Sequence, residues 1–222
     1  MIDVIIPCFN AKKYLRDAVN SIKNQTIKVN KIIIVDDGST DGSYEFAKNI
    51  DGVYCLKQEN AGAGTARNLG LKNSDAEYIY FLDADDIAES NAIESLYEEF
   101  QNNEGLEAVF GQSVEFISTE LTPEEKMRKK FNPEARFGIL PGCALIKRRT
   151  FERIGYFDTS LRTGETVAWL AKFRDMGLKY SNIDKIVLKR RIHMTNTGVV
   201  NKTQERKDYL SIIRQRMQQK KN

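Results

Sequence analysis

Short apolar runs alternate with amphipathic segments along the first hundred residues of the chain. The runs are rich in β-branched residues, which is typical of buried parallel strands, and the segments between them place apolar residues at helical spacing. The predicted strands cover residues 4–6, 32–35, 53–56 and 78–82. This strand-helix alternation predicts an α/β domain with a mostly parallel sheet and flanking helices.

Two predicted helices have clear apolar faces, which we interpret as core. One face consists of Tyr14, Leu15, Ala18, Val19 and Ile22, and the other of Ile93, Leu96, Tyr97 and Phe100.

Beyond residue 117 the pattern becomes irregular. Residues 118–138 are charged and contain two prolines, so we predict an insertion or mobile flap. The pattern of residues 183–192 predicts a last strand, and that of residues 202–222 predicts a basic helix or tail.

Charge, hydropathy and cysteine content indicate which partners and which location to expect for the protein. The 222 residues carry a formal net charge of +3, which is too small to indicate nucleic acid as a partner. No apolar run approaches the length of a membrane span, and the start lacks a secretory signal, so we expect a cytoplasmic protein. Cys8, Cys55 and Cys143 are odd in number and far apart, which predicts reduced thiols and no zinc site.

Carboxylates cluster where two predicted strands end. One cluster lies in residues 36–41 and the other is Asp83-Ala84-Asp85. Ligands of open parallel sheets bind at these strand ends, and two carboxylates one residue apart suit a hard divalent cation shared with phosphate oxygens. The alternatives are helix caps or solvated turns, and residues 81–87 also share features with the aspartyl-nucleophile motif of dehalogenase-like phosphatases.

Four motifs together resemble the family 2 glycosyltransferases in order and spacing. They occupy residues 4–10, 34–41, 60–70 and 81–86, and a looser likeness continues to about residue 198. The resemblance implies a single GT-A domain with a Rossmann-like sheet and inverting sugar transfer from a nucleotide diphosphate, usually uridine diphosphate (UDP). Residues 1–100 would form the nucleotide-sugar half, 101–200 the acceptor-side half, and 201–222 a basic end.

The resemblance also assigns roles to residues. Asp37 would bind the base and Asp83 the ribose, while Asp85 would hold Mn²⁺ or Mg²⁺. His193 would be a further metal ligand, the alternative being a surface or hydrogen-bonded histidine. Of Arg190 and Arg191, at most one would contact phosphate, because alternate strand residues point apart. The residues assigned to the nucleotide sugar are Pro7, Phe9, Asn10, Asp37, Arg67, Asp83, Ala84 and Arg191.

The sequence departs from the family where a catalytic base is expected. Family members commonly carry Gly-Glu-Asp, but this chain reads Gly164-Glu165-Thr166. A threonine cannot serve as a general base near neutral pH, so the role falls to Glu165 or to an acid not identified from the sequence. Trp169 would serve packing or form a sugar platform. The alternative function is a nucleotide-sugar-binding protein with weak or lost transferase activity.

The acceptor and the oligomeric state are not readable from the sequence. Residues 118–138 are the best candidate for an acceptor-specificity element. The basic segment from residue 202 would pack on the domain or pair two subunits, with peripheral membrane attachment as the alternative.

Overall fold

The computed structural model describes residues 1–129, 131–138, 140–194 and 196. The predicted basic segment 202–222 lies outside the described residues. Among the helices that are described, none has the length and apolar character required to cross a bilayer.

The first half of the chain forms the predicted parallel unit. Its four strands lie side by side in the order β3-β2-β1-β4, and all three pairings are parallel. The elements are β1 (Ile2–Cys8), α1 (Lys12–Lys23), β2 (Lys31–Asp37), α2 (Ser43–Lys48), β3 (Tyr54–Gln58), α3 (Ala63–Lys72) and β4 (Tyr78–Phe81).

The second half continues the same sheet with mixed polarity. Its elements are β5 (Ile87–Ala88), α4 (Ala92–Asn102), β6 (Ala108–Ile117), α5 (Pro123–Arg128), β7 (Arg136–Phe137), β8 (Ala144–Lys147), α6 (Arg148–Ile154), α7 (Glu165–Asp175) and β9 (Tyr180–Ile192). The sheet order is β3-β2-β1-β4-β8-β6-β9-β5, with β7 beside β6. β8 is antiparallel to β4 and β6, whereas β6 and β9 are parallel. The sequence did not predict β5, β6 or β7.

Burial explains why the central strands hold their places. Every residue of β1 is buried, and α1 covers it with Leu15, Ala18, Val19 and Ile22, as predicted. A second core on the other sheet face is built around Phe151 and Trp169. The three cysteines are free thiols, as predicted, and burial raises the pKa of Cys8 to about 12.

The predicted insertion is tied to the body of the protein. Glu115 on β6 accepts a hydrogen bond from the amide of Asn132 at 2.8 Å and pairs with Arg136. Inside the insertion, Thr122 and Glu125 form a reciprocal capping box at the start of α5. These contacts hold Asn132 and Arg136 of the insertion against β6, and we call the described residues of 118–138 the strap.

Candidate functional site

A cleft of about 610 Å³ lies beyond the carboxyl ends of β1, β2 and β4. This is where ligands bind in open α/β sheets. Residues from both halves of the chain line it. They are Pro7, Cys8, Phe9, Asn10, Ala11, Tyr14, Asp37, Ala63, Arg67, Asp83, Ala84, Asp85, Asp86, Leu140, Arg162, Thr163, Gly164, Glu165, Arg190, His193 and Asn196.

The cleft wall after β1 is formed by Pro7, Phe9 and Asn10. Asn10 has a left-handed backbone, with φ of 50°, and its side-chain oxygen accepts a hydrogen bond from the amide of Thr40 at 2.8 Å. The amide of Asn10 donates a hydrogen bond to the hydroxyl oxygen of Ser39. The loops after β1 and β2 are therefore joined, and Phe9 is left about half exposed at the mouth of the cleft.

Asp37, at the end of β2, is a buried carboxylate held by three donors. One oxygen accepts from the amide of Ala61 at 2.8 Å and the side chain of Gln58 at 2.7 Å, and the other accepts from the amide of Gly62 at 2.8 Å. Gly62 has a φ of 96°, a conformation that favours glycine. A carboxylate offers about four acceptor positions, and donors from the described residues fill three of those on Asp37.

Arg67 joins the two halves of the cleft by a buried double ion pair. One guanidinium nitrogen lies 2.7 Å from Asp83 and another 2.6 Å from Glu165. Burial alone would lower the pKa of Arg67, but the two carboxylates outweigh it and raise the pKa above its ordinary value. Glu165 is consequently the partner of a permanent cation and is itself buried.

Asp85 and His193 meet across the cleft, with 2.8 Å between Oδ2 and Nε2. The Tyr14 ring packs on the imidazole with centroids 4.7 Å apart. The neighbouring Asp86 is buried, and burial together with the charges of Asp85 and Asp83 raises its pKa well above the ordinary value. In the described part of the chain, no three His, Cys, Asp or Glu side chains are grouped to hold a metal by themselves.

Arg191 does not line the cleft, contrary to its assignment as a nucleotide-sugar ligand. Its guanidinium is directed beneath the cleft, where it donates to the carbonyl of Asp85 at 2.8 Å and to Asp17 at 3.0 Å. The adjacent Arg190 lines the cleft and pairs with Glu115 at 3.1 Å. The two arginines point apart, as strand alternation requires, and Arg190 is the one on the cleft side.

The start of α7 places Glu165 in the cleft and Thr166 outside the lining. Gly164 precedes the helix with a φ of 75°, and the Thr166 hydroxyl lies 3.4 Å from a Glu165 oxygen. Trp169 is buried, donates to the carbonyl of Gly155 at 2.9 Å and stacks on Phe151. Trp169 therefore serves packing and is not a sugar platform.

Tyr14 and Arg162 are among the cleft residues that the sequence analysis did not assign to the site. Tyr14 was interpreted as core, yet it lies at the rim, where its hydroxyl bonds to Glu120 of the strap. Arg162, in the loop before α7, reaches across to Asn60 at 3.0 Å. Tyr14 had the spacing of a core residue, and the only sequence signal for Arg162 was its position just before Gly164.

Comparison with known proteins supports the likeness seen in the motifs. The sequence model of the family described as Glycosyl transferase family 2 matches residues 3–155. An uncharacterized glycosyltransferase of Rickettsia prowazekii is 30% identical over 226 residues, covering 95% of this chain and 70% of that protein. Glycosyltransferase GlyG of Streptococcus pneumoniae is 35% identical over 182 residues, covering 70% of this chain and 60% of that protein.

Solved structures share the fold. The S. aureus TarS fragment 1–349 in complex with UDP has a TM-score of 0.66 and 20% identity, covering 86% of this chain and 60% of that one. Its complex with UDP-GlcNAc also has a TM-score of 0.66 and 20% identity, covering 88% and 59%. This likeness confirms the predicted GT-A fold. The chain thus spans about 60–70% of the length of these relatives and structures.

Proposed function

Because this chain belongs to glycosyltransferase family 2, as the motifs predicted, we propose that it transfers a sugar from a UDP-sugar to an acceptor hydroxyl with inversion. The observation that carries the proposal is the cleft itself. It presents Asp37 at the end of β2 and Asp83 and Asp85 just after β4, with β1 between these two strands, and we assign them to the base, the ribose and the metal-bound diphosphate. UDP is favoured as the donor nucleotide because the matched TarS structures are complexes with UDP and UDP-GlcNAc.

Asp37 suits the edge of a uracil base. Its carboxylate is held rigidly by three donors and, among the contacts of the described residues, retains one acceptor position, which matches the imide N–H of uracil. Phe9 is exposed at the same end of the cleft and offers a ring for stacking. Asp83 keeps a third of its side chain exposed while it pairs with Arg67, so it has an oxygen available for a ribose hydroxyl.

A divalent cation fits the Asp85–His193 pair. One carboxylate oxygen and one imidazole nitrogen lie within contact distance, and this oxygen-nitrogen donor set favours Mn²⁺ over Mg²⁺, because Mg²⁺ prefers oxygen ligands alone. Mg²⁺ is usually held by one or two carboxylates plus substrate phosphates, so it would use Asp85 without His193. When bound, the cation would stabilise the negative charge that develops on the departing diphosphate.

Glu165, the candidate acceptor base, is held in an ion pair. Glu165 is buried and paired with Arg67 at 2.6 Å, so withdrawing a proton from an acceptor would require that pair to loosen. This observation, together with Thr166 at the usual acidic position, favours the second candidate function, a nucleotide-sugar-binding protein with weak or lost transfer.

Calorimetry and a turnover assay test the two candidates together. UDP should bind more tightly with Mn²⁺ than without it, and Asp85→Ala should abolish this difference. Release of UDP from UDP-sugars in the presence of candidate acceptors, reduced by Glu165→Gln, supports the transferase. Tight UDP binding with no release across the panel supports the binding protein, and absence of UDP binding contradicts both.

A further inference from the structure

Arg191 belongs to a closed circuit of contacts around the proposed metal ligands. Its Nε donates to the carbonyl of Asp85 at 2.8 Å, and Asp85 in turn contacts the imidazole of His193 at 2.8 Å. The His193 ring packs on Tyr14 at 4.7 Å, and the Tyr14 ring lies 5.0 Å from the Arg191 guanidinium. Each member of the circuit touches the next, so Arg191 is connected to both proposed ligands.

Two aromatic rings contact the Arg191 guanidinium. Its carbon lies 5.0 Å from the centroid of the Tyr14 ring and 4.9 Å from that of the Phe116 ring, distances typical of cation–π contacts. Only 6% of Arg191 is exposed, and Asp17 binds the outer end of its guanidinium at 3.0 Å. A nucleotide in the cleft would therefore contact the residues that line it and not the Arg191 guanidinium.

The backbone around Arg191 adds two further connections. Its amide donates to Asp86 at 2.9 Å, and its carbonyl accepts from the side chain of Asn196 at 3.0 Å. Asn196 also accepts the amide of His193 at 2.6 Å. The end of β9 is thus attached on one side to the Asp85–Asp86 turn and on the other to the turn that carries His193.

We propose that Arg191 is a positioning residue that holds Asp85 and His193 in the geometry that binds the metal, and that it does not bind the nucleotide. The proposal rests on the metal-dependent donor binding proposed above. Partners of metal ligands fix ligand orientation, and their mutation typically lowers metal affinity by roughly 10- to 100-fold. Arg191 would orient Asp85 through the hydrogen bond to the Asp85 carbonyl, and it would orient His193 through the Tyr14 ring.

The measurement is the Mn²⁺ enhancement, defined as the ratio of UDP affinity with and without Mn²⁺, obtained by calorimetry. Free Mn²⁺ is followed separately by electron paramagnetic resonance in the presence of UDP. Arg191→Met should reduce the enhancement by roughly tenfold or more while leaving metal-free UDP affinity within about twofold, since an outer partner of the ligands is lost. A purely structural role would lower the melting temperature without changing this ratio.

Asp17→Asn is the matched control. It removes the ion pair at the outer end of Arg191 but leaves the bond from Nε to Asp85, so the enhancement should stay within about twofold of the wild type, because Asp17 is more than half exposed. An equal loss in Asp17→Asn and Arg191→Met would overturn the proposal. A loss of UDP affinity in Arg191→Met that is the same with and without Mn²⁺ would also overturn it.

Tyr14 provides a test that does not depend on the folding of Arg191→Met. Tyr14→Leu removes the ring between Arg191 and His193 and should lower the enhancement, whereas Tyr14→Phe keeps the ring and should preserve it. Equal enhancement in both variants contradicts the proposal. If the wild type shows no enhancement, or Asp85→Ala retains it, the metal site itself is wrong and the role of Arg191 fails with it.

Discussion

Replacing Arg67 with methionine should be among the most destabilising single changes in the cleft. Arg67 is 3% exposed and neutralises both Asp83 and Glu165. Removing one partner of a buried ion pair costs about 3–5 kcal/mol, because a charge is left without compensation. Water can replace Arg67 at Asp83, whose side chain is 36% exposed, but much less so at Glu165, at 11%.

We therefore expect Arg67→Met to lower the free energy of unfolding by about 3 kcal/mol, at the low end of the range for a buried pair. For a chain of this size the change corresponds to a fall in melting temperature of roughly 6–12 °C. Urea unfolding followed by Trp169 fluorescence measures it, because Trp169 is the one tryptophan in the sequence and lies on α7 with Glu165.

A second substitution separates lost charge compensation from lost packing. Adding Glu165→Gln to Arg67→Met removes the uncompensated carboxylate, so the double variant should recover about 1–2 kcal/mol of the loss, within the range for directly interacting residues. The control is Arg148→Met, which breaks an exposed pair with Glu152 on α6 and should cost less than about 1 kcal/mol. A loss below about 1 kcal/mol in Arg67→Met, or no recovery in the double variant, would refute the reasoning.

Three further predictions concern stability and catalysis. Burial would raise the pKa of Glu107, but hydrogen bonds and charge from Arg149 and its neighbours lower it overall. This carboxylate therefore stabilises the fold above its ordinary pKa of about 4.3 and loses that contribution as pH falls through the lowered value, so urea unfolding of Glu107→Gln should show a flatter acid limb. Gly70→Ala would place a methyl group against the buried Ile5 and should cost about 1–3 kcal/mol by urea unfolding. Thr166→Asp restores an acidic residue at the usual position of the base and should raise the rate of UDP release about tenfold or more. A positioned general base typically accelerates a reaction by about 10²–10⁴-fold.

The parallel half of the fold was readable because its signals are local. Each strand of that half is a short β-branched run, and the motif residues follow directly at the strand ends, so sheet topology brings them together. β6 was missed because Gly111 and polar residues interrupt its apolar pattern, and its support comes from pairing with β8 and β9. Such long-range pairing leaves little trace in the local sequence.

For a similar reason, the sequence did not reveal which of Arg190 and Arg191 faces the cleft. Alternation requires the two to point apart, but only the placement of β9 beside β6 decides which one faces the cleft. The pairing also contains register shifts between Phe110 and Ser113, so counting along the strand does not resolve it. The predicted ligand pair of Asp85 and His193, more than a hundred residues apart in sequence, is nevertheless in contact.

The Arg67 measurements also decide how Glu165 should be understood. If the pair with Arg67 contributes several kcal/mol, Glu165 is anchored as a structural carboxylate, and taking a proton from an acceptor would require part of that stabilisation to be given up in each turnover. Transfer would then be slow unless donor binding draws Asp83 towards the ribose and changes how Arg67 divides its hydrogen bonds between the two carboxylates. A turnover rate that falls in Glu165→Gln and rises in Thr166→Asp would show that an acid at position 166 supplies the general base that the present chain lacks there.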